Sequence, residues 1–221
     1  MTTLAVEVDA GTVPRFSFIA PNGFHPLPIA PTPEERAALS REFVRDLYSR
    51  GDETIWTPAA PYFAALAEYM AESGFAYSAM GLFARDDGGA AQCAFTVAAV
   101  ETDQTDPDVA AQGILAALAS NSYIDARWLD LPCGPAVSCV RLNEVSFQSE
   151  MTRSGELVEL LTGQIQVHVP FPTGPYTAVF TLDTAAMDYW AEFCDMVAAI
   201  LQTVSFTDPD EELSGDSAIG S

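Results

Sequence analysis

The chain has 221 residues, 49% hydrophobic and 18% charged, which is ample for a packed core and excludes global disorder. Its 31 acidic residues outweigh 9 basic ones, all arginine, for a formal net charge of −22. Such a surface excludes a nucleic-acid backbone as a partner, because the chain cannot neutralise phosphates in number, and argues against docking on an anionic membrane.

Residues 1–11 read as an N-terminal extension to a single domain over 12–206. Phe16 and Phe18 alternate with Arg15 and Ser17 as a strand, and Pro21-Asn22-Gly23 turns the chain into an irregular edge segment through Ile29. Thr32-Pro33-Glu34-Glu35 is a capping box, so a helix starts there. It runs to Arg50, stops at Gly51, and carries Leu39, Phe43 and Leu47 on one face. A second helix is expected from Ala59 to Glu72, with Phe63, Leu66, Ala67 and Met70 inward. Residues 75–85 and 91–101 form a hairpin about Asp86-Asp87-Gly88-Gly89. Asp106-Pro107 opens a third helix, carrying Ala111, Ile114, Leu115 and Leu118 inward. Strands are expected over 126–131, 136–148, 157–169 and 176–182. In the third, Ile165, Val167 and Val169 alternate with Gln164, Gln166 and His168, which predicts one dry face and one wet face. Thr184 caps a closing helix over 185–201, with Met187, Trp190, Cys194, Val197 and Leu201 inward. The acidic stretch 207–221 lacks the apolar residues to join a core and reads as a disordered tail.

Strand runs with segregated helices imply an α+β fold: an antiparallel sheet of five to seven strands flanked by helices. The succession Phe18-Ile-Ala-Pro-Asn-Gly-Phe24, Leu131-Pro-Cys-Gly-Pro-Ala136, Gln164-Ile-Gln-Val-His-Val-Pro170, Tyr176-Thr-Ala-Val-Phe-Thr-Leu182 and Ile200-Leu-Gln-Thr-Val-Ser-Phe206 resembles the PsbP-like fold group, with its LpqN-type actinobacterial proteins. The resemblance spans about residues 12–206. It implies an α/β/α sandwich in a bacterial protein with an accessory, protein-binding role. Members of the LpqN type are commonly exported lipoproteins, whereas the N-terminus here has neither a signal-like apolar run nor a lipidation cysteine. No functional residues of the group have a matching motif here.

Catalytic chemistry is hard to find. The two histidines, His25 and His168, have no His or Cys at ligand spacing, so no metal and no cofactor is expected. The acidic run Glu101, Asp103, Asp106 and Asp108 lacks the features of a calcium loop. No G-x-S-x-G is present, and a chain without lysine cannot carry a P-loop. Cys139 with His168 across neighbouring strands is conceivable on geometry, but a buried small hydrophobe beside a surface imidazole accounts for both residues better. Cys93, Cys133, Cys139 and Cys194 form no C-x-x-C pair and read as free thiols of a reducing compartment, which places the chain in the cytoplasm.

The leading expectation is therefore a non-catalytic cytoplasmic accessory or adaptor protein that binds another protein. A basic partner would suit the acidic surface, which could otherwise serve solubility alone. The possible interface is Trp56, Tyr62 and Tyr69, since exposed Tyr near Trp is how interface anchors look. Two alternatives stand beside it. One is an acidic immunity or inhibitor protein, against a basic toxin or as a nucleic-acid mimic. The other is a small-ligand carrier or enzyme with a pocket between sheet and helices. Sequence does not fix the oligomeric state.

Overall fold

The computed structural model describes residues 3–8, 14–30, 32–86, 88–147 and 155–206. The tail expected after residue 206 lies outside the described residues. The elements run β1 (Thr3–Val8), β2 (Phe16–Pro21), β3 (Phe24–Pro26), α1 (Pro33–Leu47), α2 (Glu53–Glu72), β4 (Phe75–Ala84), β5 (Ala90–Glu101), α3 (Pro107–Ala119), β6 (Asp125–Leu131), β7 (Gly134–Phe147), β8 (Val158–Pro170), β9 (Tyr176–Thr184), a short 3-10 turn (Met187–Tyr189) and α4 (Trp190–Leu201). Strands β3 to β9 form one seven-stranded open sheet in the order β3-β4-β5-β9-β8-β7-β6, and every pairing is antiparallel. This is the expected α+β architecture, with helices on both faces.

Strand alternation decides what covers each face. Phe95, Val97, Phe180, Leu182, Ile165 and Val167 point to one side, where Phe16 and Phe18 of β2 and Phe193, Val197 and Ile200 of α4 meet them in the main core. Edge-on aromatic pairs knit this core: Phe18 lies 5.5 Å from Phe180 and 5.4 Å from Tyr77. Burial pushes the Tyr77 phenol up to about 12. The other face carries α1 and α2 over Met80 at one end, with Phe43, Val44, Ala60 and Phe63 as a second small core. At the far end α3 lies across β6, β7 and β8. Val137 and Cys139, which point away from α4, are fully buried there.

Four local expectations need correction. The domain begins before residue 12: Thr3–Val8 pairs with β2 and puts Val6 and Val8 into the main core. Helix α2 starts six residues before Ala59, because the Asp52 carboxylate accepts from the Thr54 amide at 2.9 Å and the helix runs through Pro58 and Pro61. On α1 it is Arg36, Ser40, Phe43 and Val44 that are buried, whereas Leu39 is exposed. Arg36 can take an inward position because its guanidinium donates to the Ala30 carbonyl at 2.8 Å and to Glu68 at 2.7 Å. Finally, Thr184 caps no helix. Its hydroxyl donates to the Gln92 carbonyl at 2.6 Å and accepts from the Ala186 amide at 2.9 Å, tying the end of β9 to β5 before the 3-10 turn. The capping box at Thr32 is present as expected.

Candidate functional site

Three surfaces have the chemistry to bind something, and each follows from how neighbouring elements differ in length or side-chain size.

The first is a groove between α1 and α2 of about 510 Å³. Its walls are narrow because small residues face it: Ala37 from α1 and Ala60, Pro61, Ala64 and Ala65 from α2. Trp56 closes one end. Its indole N–H donates to the Tyr48 carbonyl at 2.9 Å, which pins the ring against the last turn of α1. Arg45 sits over that ring at 5.7 Å and also pairs with Glu53 at 3.1 Å. Arg36 and Glu68 pair on the same lining, and Arg41 lies exposed with no partner among the described residues.

The second is the wet face of the sheet between the helix pair and α3. The expected alternation of β8 holds, and its polar residues bond along and across strands. Gln164 donates to Asp183 at 2.9 Å, Gln166 donates to the Thr181 hydroxyl at 3.3 Å, and His168 Nε2 lies 3.1 Å from Gln166 Oε1. Burial, reinforced by the nearby Arg141 cation, lowers the His168 pKa. Desolvation raises the Asp183 carboxyl, partly offset by the Gln164 amide. Toward α2 this face opens into a groove of about 490 Å³ with Leu66, Met70 and Met80 beside Gln92 and Asp183.

The third is a ribbon. Strand β9 ends opposite Gly163, and β6 begins opposite Val140, yet β7 and β8 stay paired out to Phe147 and Val158. The five pairs from Asn143–Thr162 to Phe147–Val158 therefore extend beyond both neighbours, a reach of about 17 Å. Leu142, Val145, Leu157, Val158 and Leu161 are all exposed on or beside it.

The residues singled out from sequence do not share one surface. Tyr62 and Tyr69 are 67% and 64% exposed, two turns apart on one stripe of α2. Trp56 is half-buried and turned by about a third of a turn from that stripe, into the arginine-lined groove. The arginines of this groove were missed by sequence reasoning, since i, i+4 arginines on an amphipathic helix look like an ordinary solvated face. Cys139 and His168 are diagonal neighbours on one face, but Cys139 is fully buried and the imidazole is bonded to Gln166. All four cysteines are free, and burial pushes the Cys93 thiol up to about 12. Among the described residues no cluster of His, Cys, Asp or Glu could hold a metal ion.

No protein-family model matches the chain, and no curated protein matches it. Among solved structures it is similar to the crystal structure of LpqN, described as involved in cell envelope biogenesis of Mycobacterium tuberculosis. Identity is 13%, the TM-score is 0.41, and the match covers 93% of this chain and 91% of that one. The wider PsbP-like grouping rests on the sequence motifs alone. The cytoplasmic placement does not stand: free thiols alone do not fix a compartment, and the similar solved protein is described by a cell-envelope role. No helix among the described residues is long and apolar enough to cross a membrane.

Proposed function

We propose that the protein is a non-catalytic binding module that engages another protein through the β7–β8 ribbon. The supporting observation is the concentration of exposed Leu142, Val145, Leu157, Val158 and Leu161 on a two-stranded arm that no third strand flanks among the described residues. A lone two-stranded ribbon is marginal in water, and clustered apolar exposure of this kind marks contact surfaces. By alternation Leu142 and Leu161 share the α4 side of the ribbon, and Val145 and Val158 the other. A partner that adds a strand to either free edge would complete backbone pairing while covering these side chains. The net charge of −22 favours a partner that is basic overall, steering its approach.

The test uses the full chain and a Leu142→Ser, Leu161→Ser double variant as matched baits, with light scattering on both. The reading holds if one protein, captured from the native lysate and then purified, binds the parent chain and loses at least about tenfold in affinity for the variant. Equal binding to both baits sinks it, and so does ribbon-dependent self-association, which would make a second copy the occupant. The stripe of Tyr62 and Tyr69 is the second surface, favoured by their high exposure and shared stripe.

A further inference from the structure

The arginine-lined groove between α1 and α2 belongs to a different side of the molecule and calls for a different ligand. Three of the chain's nine arginines, Arg36, Arg41 and Arg45, line it, although carboxylates outnumber arginines more than three to one over the whole chain. Two carboxylates stand among them, and each is already matched: Glu68 with Arg36 at 2.7 Å and Glu53 with Arg45 at 3.1 Å. That leaves one uncompensated positive charge, on Arg41. The rest of the lining is apolar and small, apart from Trp56 and Thr57. A volume of about 510 Å³ is in the range that holds a small molecule and is too small for a folded element.

We infer that this groove binds a small organic monoanion, a carboxylate carried on an apolar body. The carboxylate meets Arg41, where a guanidinium can hold it through two parallel N–H bonds. The apolar body lies along Ala37, Ala60, Ala64 and the Trp56 ring, whose position is fixed in advance by its bond to Tyr48 and so costs little to order. A dianion would bring a second negative charge with no free cation to meet it, inside the field of a strongly acidic protein. A neutral ligand would leave Arg41 half-desolvated and unpaired. The monoanion is the class whose charge and shape both match.

The experiment titrates the full chain with phenylbutyrate, phenylbutanol and phenylbutylamine, which share one apolar body and differ in charge. Calorimetry reads affinity and amide chemical shifts read the place. Phenylbutyrate is expected to bind with shifts in α1 and α2, the alcohol more weakly by about tenfold or more, and the amine not at all. Arg41→Gln should cost about tenfold to a hundredfold for phenylbutyrate, with no change in melting temperature because the side chain is exposed. Arg41→Lys should restore part of the loss, keeping the charge without the fork. Ala64→Leu should fill the groove and weaken all binding there. The inference fails if phenylbutyrate does not bind at millimolar concentration, if the alcohol binds as well, if Arg41→Gln changes nothing, or if the shifts map to the wet face of the sheet. Ribbon variants are expected to leave this binding untouched, so it stands or falls independently of the protein-binding reading.

Discussion

The two faces of the seven-stranded sheet are both covered, yet they are held by different forces. On the α4 side, consecutive strands present Phe95, Phe180 and Ile165 to a layer of Phe16, Phe18 and Phe193, and burial of aromatic area dominates. On the opposite side the same strands present Thr96, Thr181, Gln164, Gln166, His168 and Asp183, and hydrogen bonds between side chains take over. The helices there leave a gap between α1–α2 and α3 where Gln164, Gln166, His168 and Asp183 meet water, while Thr96 and Thr181 stay buried. The dry face gives stability, and its groove of about 380 Å³ lies at one end, where α4 meets β6, β7 and β8. The mixed face gives grooves.

Neighbouring residues on β9 make the sharpest contrast. Phe180 is 1% exposed and touches Phe16, Phe18 and Phe95, so Phe180→Ala removes packing on several sides and should cost about 3–5 kcal/mol. Thr181 is buried on the other face, but its hydroxyl accepts one long bond from Gln166. Thr181→Val keeps the shape and should stay within about 1 kcal/mol. Urea denaturation of both variants measures the pair. Equal losses would mean that the polar face carries as much stability as the aromatic one.

This contrast also shows where the sequence is a good guide. The alternation Gln164-Ile165-Gln166-Val167-His168-Val169 states the two faces directly, and Thr32 with Glu35 states the start of α1. Both are local patterns that tertiary packing left alone. The readings that moved depend on distant partners. Arg36 is buried because Ala30 and Glu68 receive its guanidinium, and α2 runs through Pro58 and Pro61 because Asp52 caps it upstream. Val6 and Val8 join the core only through pairing with β2. The candidate sites follow the same division. Trp56, Tyr62 and Tyr69 were visible as exposed or marginal aromatics, but the convergence of Arg36, Arg41 and Arg45 on Trp56 is a product of how α1 lies against α2. The ribbon was partly legible, since the third and second strands of the closing meander already read longer than the fourth. Its exposure depends on which strands flank it, and spacing does not give that.

Gly163 tests the boundary between the sheet proper and the ribbon. It is the last β8 residue opposite β9, and a Cβ there would run into the Trp190 ring and approach Met187. Gly163→Ala should cost about 1–3 kcal/mol by pushing Trp190 off the sheet, read by loss of melting temperature with a change in tryptophan fluorescence. Unchanged stability would mean that the start of α4 is loosely held, and that the α4 face is less tightly packed than its aromatic core.

The smallest effect belongs to the wet face and distinguishes it by pH. The His168 pKa is lowered in the fold, chiefly by burial and then by Arg141, so the neutral imidazole is the form that the native state prefers. The unfolded chain, with an ordinary value near about 6.5, binds the proton first. Stability from this residue is therefore fully present above about pH 6.5 and is lost as pH falls through the lowered folded value. Asp183 works in the opposite sense: its pKa is raised by desolvation, so the fold prefers its neutral form and gains relative stability as pH falls through that raised value. Melting temperature followed from about pH 7.5 to about pH 5 should decline, less steeply in His168→Gln, which keeps a polar partner for Gln166 without a titrating ring. Followed further into acid, the decline should be steeper in Asp183→Asn over the range where the parent carboxyl takes up its proton, because that offset is gone. If His168→Gln and the parent chain trace the same curve, the imidazole is as solvated in the fold as out of it, and the wet face is open to water along its whole length.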